Sequence, residues 1–166
     1  YSLNDTSEAA MKAAHEVLKV WDRNITQYDS DSYKNEVPDG TTWLAQAYNG
    51  DALQQMAENE NLGFFLPKEG SAMWMDNIVM LKSSKAKDLA YKFIDFMLDA
   101  EIAKRNAEYT QYATPNKAAL QLLGEEFQAN PLINPDPAYL QKCTMIEYLG
   151  EAVKSIDQIY EAIKLN

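Results

Sequence analysis

The sequence predicts an α/β protein, and three observations carry that expectation. Short β-favouring runs lie in the first half of the chain, and helical periodicity dominates the second. A helical segment separates the early runs, giving strand–helix–strand units. A hydrophobic share of 46% beside 24% charged residues is that of a chain able to bury a core. At 166 residues the chain is one ordinary domain or part of a larger one.

Each element follows from local pattern. Asp5-Thr6-Ser7-Glu8 has the form of a capping box, placing a helix start near Asp5. Met11, Ala14, Leu18 and Trp21 recur at helical spacing to about residue 21. Residues 25–28 are a short strand candidate, and 29–40 are polar with a strong turn signal at Pro38-Asp39-Gly40. Residues 41–48 favour strand and stop at Asn49-Gly50. A short helix is expected over 51–58, with Asp51 placed to satisfy its first N–H groups. Strands are expected over 62–66 and 73–81, with a turn at Pro67-Lys68-Glu69-Gly70 between them. From Ser84 the pattern is helical, with Leu89, Phe93, Phe96 and Met97 on one face to about Asp99-Ala100. Helices over 101–108 and 117–123 flank a turn at 112–116. Pro131, Pro135 and Pro137 then make a loop, and a last helix is expected over 138–164, irregular at Gly150.

Composition narrows the function. The net charge of −10 disfavours nucleic acid, which needs a basic footprint; it would attract a cationic ligand, or it serves solubility alone. A single cysteine, Cys143, excludes an internal disulfide and a CxxC site. No apolar run is long enough to span a membrane. The chain opens Tyr1-Ser2-Leu3-Asn4 without Met or a basic-plus-apolar leader, which reads as the interior of a longer sequence. An enzyme is not supported. The one histidine, His15, reads as a helix residue, and no nucleophile elbow, phosphate loop or metal-ligand spacing is present. Nothing in the pattern calls for a cofactor or a metal.

Three places suggest binding instead. In Trp74-Met75-Asp76 the outer residues are i and i+2, so on a strand both face one side. A ring beside a carboxylate suits an alkylammonium ion, through cation–π contact and charge-assisted hydrogen bonds. The bland alternative is a core Trp74 and a turn-capping Asp76. Tyr48-Asn49-Gly50-Asp51 sits at a strand end and a helix start, where open α/β sheets bind ligands, and Asp51 would make that place suit a cation. The alternative there is a capping acid and a core tyrosine. Tyr112, in the turn Gln111-Tyr112-Ala113-Thr114-Pro115-Asn116, is placed either to line a cleft or simply to pack.

These places in this order, with Pro67-Lys68-Glu69-Gly70 ahead of Met73-Trp74-Met75-Asp76 and the helix around Lys92 to Leu98, resemble the spermidine/putrescine-binding proteins of bacterial polyamine ABC importers. The resemblance covers nearly the whole chain but only about half of a family member, the C-terminal portion. It implies part of a type II periplasmic-binding-protein fold, a three-layer α/β/α arrangement without its N-terminal lobe. It further implies that residues 1–75 belong to the second lobe, that 76–123 cross back to the first, and that 124–166 return as a helical tail. Trp74 would pack on the polyamine and Asp76 would pair with an amine. Tyr48 stands where well-known members have a tryptophan wall, Asp51 where some have a small hydroxyl residue, and Tyr112 matches a cleft tyrosine. A further polar contact is expected near residues 144–147. The implied partners are a polyamine and the permease subunits, on the periplasmic or extracytoplasmic side, free, anchored or fused to a permease. A lobe without its companion would expose sheet edges and apolar faces, so either a rearranged compact domain or self-association, including domain swapping, is expected. The alternatives are a receptor of the same fold for another small solute and a helical interaction domain.

Overall fold

A computed structural model describes residues 1–164 of the chain. The first helix, α1 (Glu8–Trp21), starts three residues after the expected place. Ser7 caps it by accepting the Ala10 N–H at 3.2 Å, while Asp5 accepts the Ser7 N–H at 2.9 Å in a local turn. Two capping-competent residues stand in series here, and the nearer one takes the helix. A single helical turn, α2 (Tyr33–Glu36), lies inside the polar segment expected to be irregular. The Pro38-Asp39-Gly40 turn forms, with Gly40 at φ +80°. Next comes α3 (Asn49–Glu58), with Tyr48 at its N-cap position.

The second half is helical, as expected. It comprises α4 (Lys87–Leu98), α5 (Ala100–Thr110), α6 (Lys117–Leu122), α7 (Glu125–Ala129), α8 (Pro137–Leu140) and α9 (Val153–Lys164). Asp99 caps α5 by accepting from Glu101 and Ile102 N–H. Asn116 caps α6 in the same way and also donates to the Leu98 carbonyl at 2.8 Å, tying α6 to the end of α4. The expected single helix over 138–164 is corrected to α8, a short extended piece, a 3-10 turn at Gly150–Ala152 and then α9. Gly150 adopts φ +57°, a left-handed conformation that interrupts the helix.

The strands are where expectation and structure part. Among the described residues one ladder forms, between β1 (Ala72–Met73) and β2 (Thr144–Met145), parallel, with Ala72 opposite Thr144. The Ile146 N–H extends it by donating to the Met73 carbonyl at 2.8 Å. The runs 25–28, 41–48 and 62–66 join no ladder, and 73–81 contributes only its first residue. β-Propensity expresses fit to a neighbouring strand and a packed face, and among the described residues these runs find no strand partner. Phe65, Ile78, Val79 and Leu81 are accordingly exposed.

The core is built from small side chains. Ala103 and Ala107 of α5 and Ala119 of α6 are buried, so the two helices approach closely, with Leu123 and Ile133 beneath them. At the opposite pole α1 packs on α9 through Ala10 and Ile163. Tyr28 and Tyr160 meet there edge to face at 5.8 Å. Between these poles, α3 rests on the C-terminal end of α5.

Candidate functional site

The α3–α5 contact creates the site. Its hinge is Gly50, where a Cβ would lie 2.6 Å from the Thr110 carbonyl oxygen and 2.6 Å from the Tyr112 ring. Only glycine permits that approach. Gln54, one turn further along α3, donates to the same Thr110 carbonyl at 3.0 Å. Gln111 then takes a left-handed conformation (φ 59°) and closes α5 by donating its N–H to the Ala107 carbonyl. That reversal swings Tyr112 back across the start of α3.

Four of the five residues expected from the sequence converge. The Trp74 ring stands between two tyrosines, edge-on to Tyr48 at 5.0 Å and to Tyr112 at 6.0 Å. The Tyr112 hydroxyl donates to Asp51 Oδ1 at 3.2 Å, joining residues 61 positions apart. The rings lie on an open face: Trp74 keeps 38% of its area exposed and Tyr48 43%. Trp74 is therefore not core, which removes the bland reading of that residue. Asp76 is the fifth, exposed two residues beyond Trp74, and none of the described residues engages its carboxylate in a hydrogen bond or ion pair. Because β1 and β2 run parallel, Trp74-Met75-Asp76 and residues 146–147, the second half of the expected contact region 144–147, leave the ladder at the same end. Asn4 pins that end, donating to the Met145 carbonyl at 2.8 Å and accepting the Glu147 N–H at 3.2 Å.

Asp51 differs from its expected role. No side chain caps α3, and the Asp51 carboxylate serves three internal partners instead. Besides Tyr112, the Tyr33 hydroxyl donates to Oδ2 at 2.7 Å and the Lys34 ammonium lies 3.2 Å from Oδ2. The Tyr33 oxygen in turn accepts the Tyr48 N–H at 3.3 Å. Burial works against the Asp51 charge, yet the bonds from Tyr33 and Lys34 outweigh it and hold the carboxyl below its ordinary value. Burial first, and then the bond to Asp51, push the Tyr33 hydroxyl up to about 12. Burial first, and then the Asp51 charge, raise Tyr112. At neutral pH the group is thus one carboxylate, two neutral phenols and one ammonium.

Tyr33, Lys34, Gly50, Gln54 and Gln111 were not legible as site residues. Tyr33 and Lys34 sit in a polar, turn-rich stretch with no periodicity, and they reach Asp51 only through the fold. The Asn49-Gly50 pair does carry a signal, but one that reads as a turn. Among the described residues no group of three or more His, Cys, Asp or Glu is arranged to hold a metal. None of the described helices is long and apolar enough to cross a membrane.

Three rings and the Asp51 carboxylate thus form one open cluster on a helix-rich chain. Residues 1–135 match the family of bacterial extracellular solute-binding proteins, and the chain belongs to that family. It is 32% identical over 164 residues to a spermidine/putrescine-binding periplasmic protein of Salmonella typhimurium, covering 99% of this chain and 47% of that one. A putrescine/cadaverine-binding protein of Pseudomonas aeruginosa is 31% identical over 172 residues, 99% of this chain and 49% of its own. Among solved structures, a putative spermidine/putrescine ABC transporter protein from Listeria monocytogenes superposes with a TM-score of 0.90 at 36% identity, over 99% of this chain and 51% of that one. A spermidine/putrescine ABC transporter substrate-binding protein from Streptococcus pneumoniae superposes with a TM-score of 0.80 at 30% identity, with the same coverage. The chain spans about half the length of the relatives it matches. The fold class is that of these substrate-binding proteins, of which this chain holds a helix-rich half.

Proposed function

We propose that the chain is the C-terminal portion of the polyamine-binding component of a bacterial ABC importer, working outside the cytoplasmic membrane with permease subunits. The observation that carries this reading is the convergence of Tyr48, Trp74 and Tyr112 on one open face, with the exposed Asp76 two residues beyond Trp74. The named relatives, which bind spermidine, putrescine or cadaverine, support the choice of ligand. A polyamine is a flexible rod of ammonium groups on methylenes, costly to order and to strip of water. Rings along the methylenes and over an ammonium offset about 0.5–2 kcal/mol per cation–π contact, and a carboxylate adds a charge-assisted hydrogen bond.

The lobe assignment belongs to the same proposal. The packing of α9 on α1 and the pairing of β2 with β1 support residues 124–166 returning to the segment 1–75. The exposed Ile78, Val79, Leu81, Leu89, Phe93 and Phe96 support the start of residues 76–123 crossing to another lobe, while α5 and Tyr112 of the same segment return to pack on α3. The site here is then half of a cleft, and the 166-residue piece binds polyamine weakly or not at all. Calorimetry with spermidine and putrescine, on the piece and on the complete reading frame that contains it, tests both claims. Binding by the complete protein that is lost in Trp74→Ala and Asp76→Asn, with folding retained, is the expected result. Micromolar binding by the piece alone would refute the half-site, and a response to sugars or other solutes in place of polyamines would refute the ligand.

A further inference from the structure

Among the described residues, Lys34 is the one cation that the fold delivers to the cluster. Its ammonium bridges Asp31 at 3.0 Å and Asp51 at 3.2 Å, and Asp51 is bonded in turn to Tyr112, whose ring meets Trp74. An ammonium on a methylene stem is chemically the end of an alkyl polyamine. The Asp51 side chain keeps only 18% of its area exposed, so what pairs with it from within decides whether it can serve anything from outside.

We propose that Lys34 is a specificity determinant: by satisfying Asp51 internally, it limits the number of anionic anchors the site offers and so sets the preference between diamines and triamines. The inference rests on the polyamine reading above. With Lys34 in place, a bound cation meets the rings and Asp76, and Asp51 serves only to hold Tyr33 and Tyr112. Without the Lys34 charge, Asp51 Oδ2 retains the Tyr33 bond and has acceptor capacity to spare, since a carboxylate offers about four lone-pair positions. The uncompensated charge then attracts a ligand in proportion to its number of ammonium groups. The pairing also involves Asp31, whose side chain is 83% exposed, so the bridge reaches from the surface loop to the cluster.

Calorimetry with putrescine and with spermidine, on the complete reading frame, compares wild type with Lys34→Met, Lys34→Arg and Lys19→Met. Lys34→Met keeps much of the apolar stem and removes the charge. It is expected to tighten spermidine about tenfold and putrescine about twofold to threefold. Lys34→Arg is expected to keep the wild-type ratio. Lys19→Met, on the surface of α1, is expected to change neither affinity and so excludes a bulk-charge effect. An unchanged ratio in Lys34→Met, with polyamines still bound, overturns the role of Lys34 and leaves the polyamine reading standing. Failure of every protein, wild type included, to bind either polyamine overturns that reading and the Lys34 role with it. Should Lys34→Met not fold, ammonium-proton NMR of the wild type decides: a protected Lys34 signal that persists under saturating spermidine supports the proposal, and its loss on saturation overturns it.

Discussion

At the residue scale, the site depends on what Gly50 lacks. The Tyr112 ring occupies the space where a side chain at position 50 would begin. Gly50→Ala is expected to push Tyr112 off Asp51 and away from Trp74, with overpacking costing about 2 kcal/mol. Thermal unfolding together with near-ultraviolet circular dichroism checks this, since the variant should lose both melting temperature and aromatic signal. The phenols around Asp51 add a pH dependence with a definite sign. Tyr33 titrates near 12 in the folded chain against 10 in the unfolded one, so its contribution is complete below pH 10. That contribution is lost as pH rises from 10 through 12. Asp51 acts oppositely: its folded value is depressed, so its contribution is present above the unfolded value and lost as pH falls through the folded one. Denaturant titrations across pH should show stability declining at both extremes, and Asp51→Asn should flatten the acid limb. An acid limb unchanged in Asp51→Asn would count against this account.

At the scale of elements, the helices that carry the site are anchored by caps whose side chains do two jobs. Asn116 caps α6 and reaches back to the Leu98 carbonyl, so it also sets where the Tyr112 turn leaves α5. Asn116→Ala is expected to cost about 1 kcal/mol through the lost cap alone. Asn116→Asp keeps the cap but sets a carboxylate oxygen against the Leu98 carbonyl, so its loss relative to wild type in urea unfolding reports the tie between helices, and its difference from Asn116→Ala reports the cap. Local chemistry of this kind was legible in advance. The turn at 112–116 and the helix starting at Lys117 both follow from Thr114-Pro115-Asn116. The turn at Pro67–Gly70 was legible for the same reason. The runs 41–48 and 62–66 were misread as strands because strand formation is decided by a partner, not by the run itself.

At the scale of the whole molecule, apolar surface is distributed unevenly. The α5–α6 and α1–α9 poles are packed, whereas the stretch from Phe65 through Phe96 is not: Val79 is 78% exposed and Leu89 68%. Exposed apolar side chains in that number suit a face that another part of the protein covers. If the companion lobe covers it in the complete protein, the 166-residue piece should self-associate and bind a hydrophobic dye, and the complete protein should do neither. Light scattering and dye fluorescence on both would check this. A monodisperse, dye-silent piece would show the face to be self-sufficient.

The sequence by itself determined α4, α5 and α6, the turns, the acidic balance and the residue types of the site, because caps, prolines and periodicity act over a few neighbours. It also placed Tyr48, Trp74 and Tyr112 as candidates. Only the tertiary structure decided that the three rings meet, that Asp51 is held by Tyr33, Tyr112 and Lys34, and that Asp76 stays unpaired. Those outcomes depend on α3 lying against the end of α5 at Gly50, a contact between residues some sixty positions apart. No local pattern encodes such a contact.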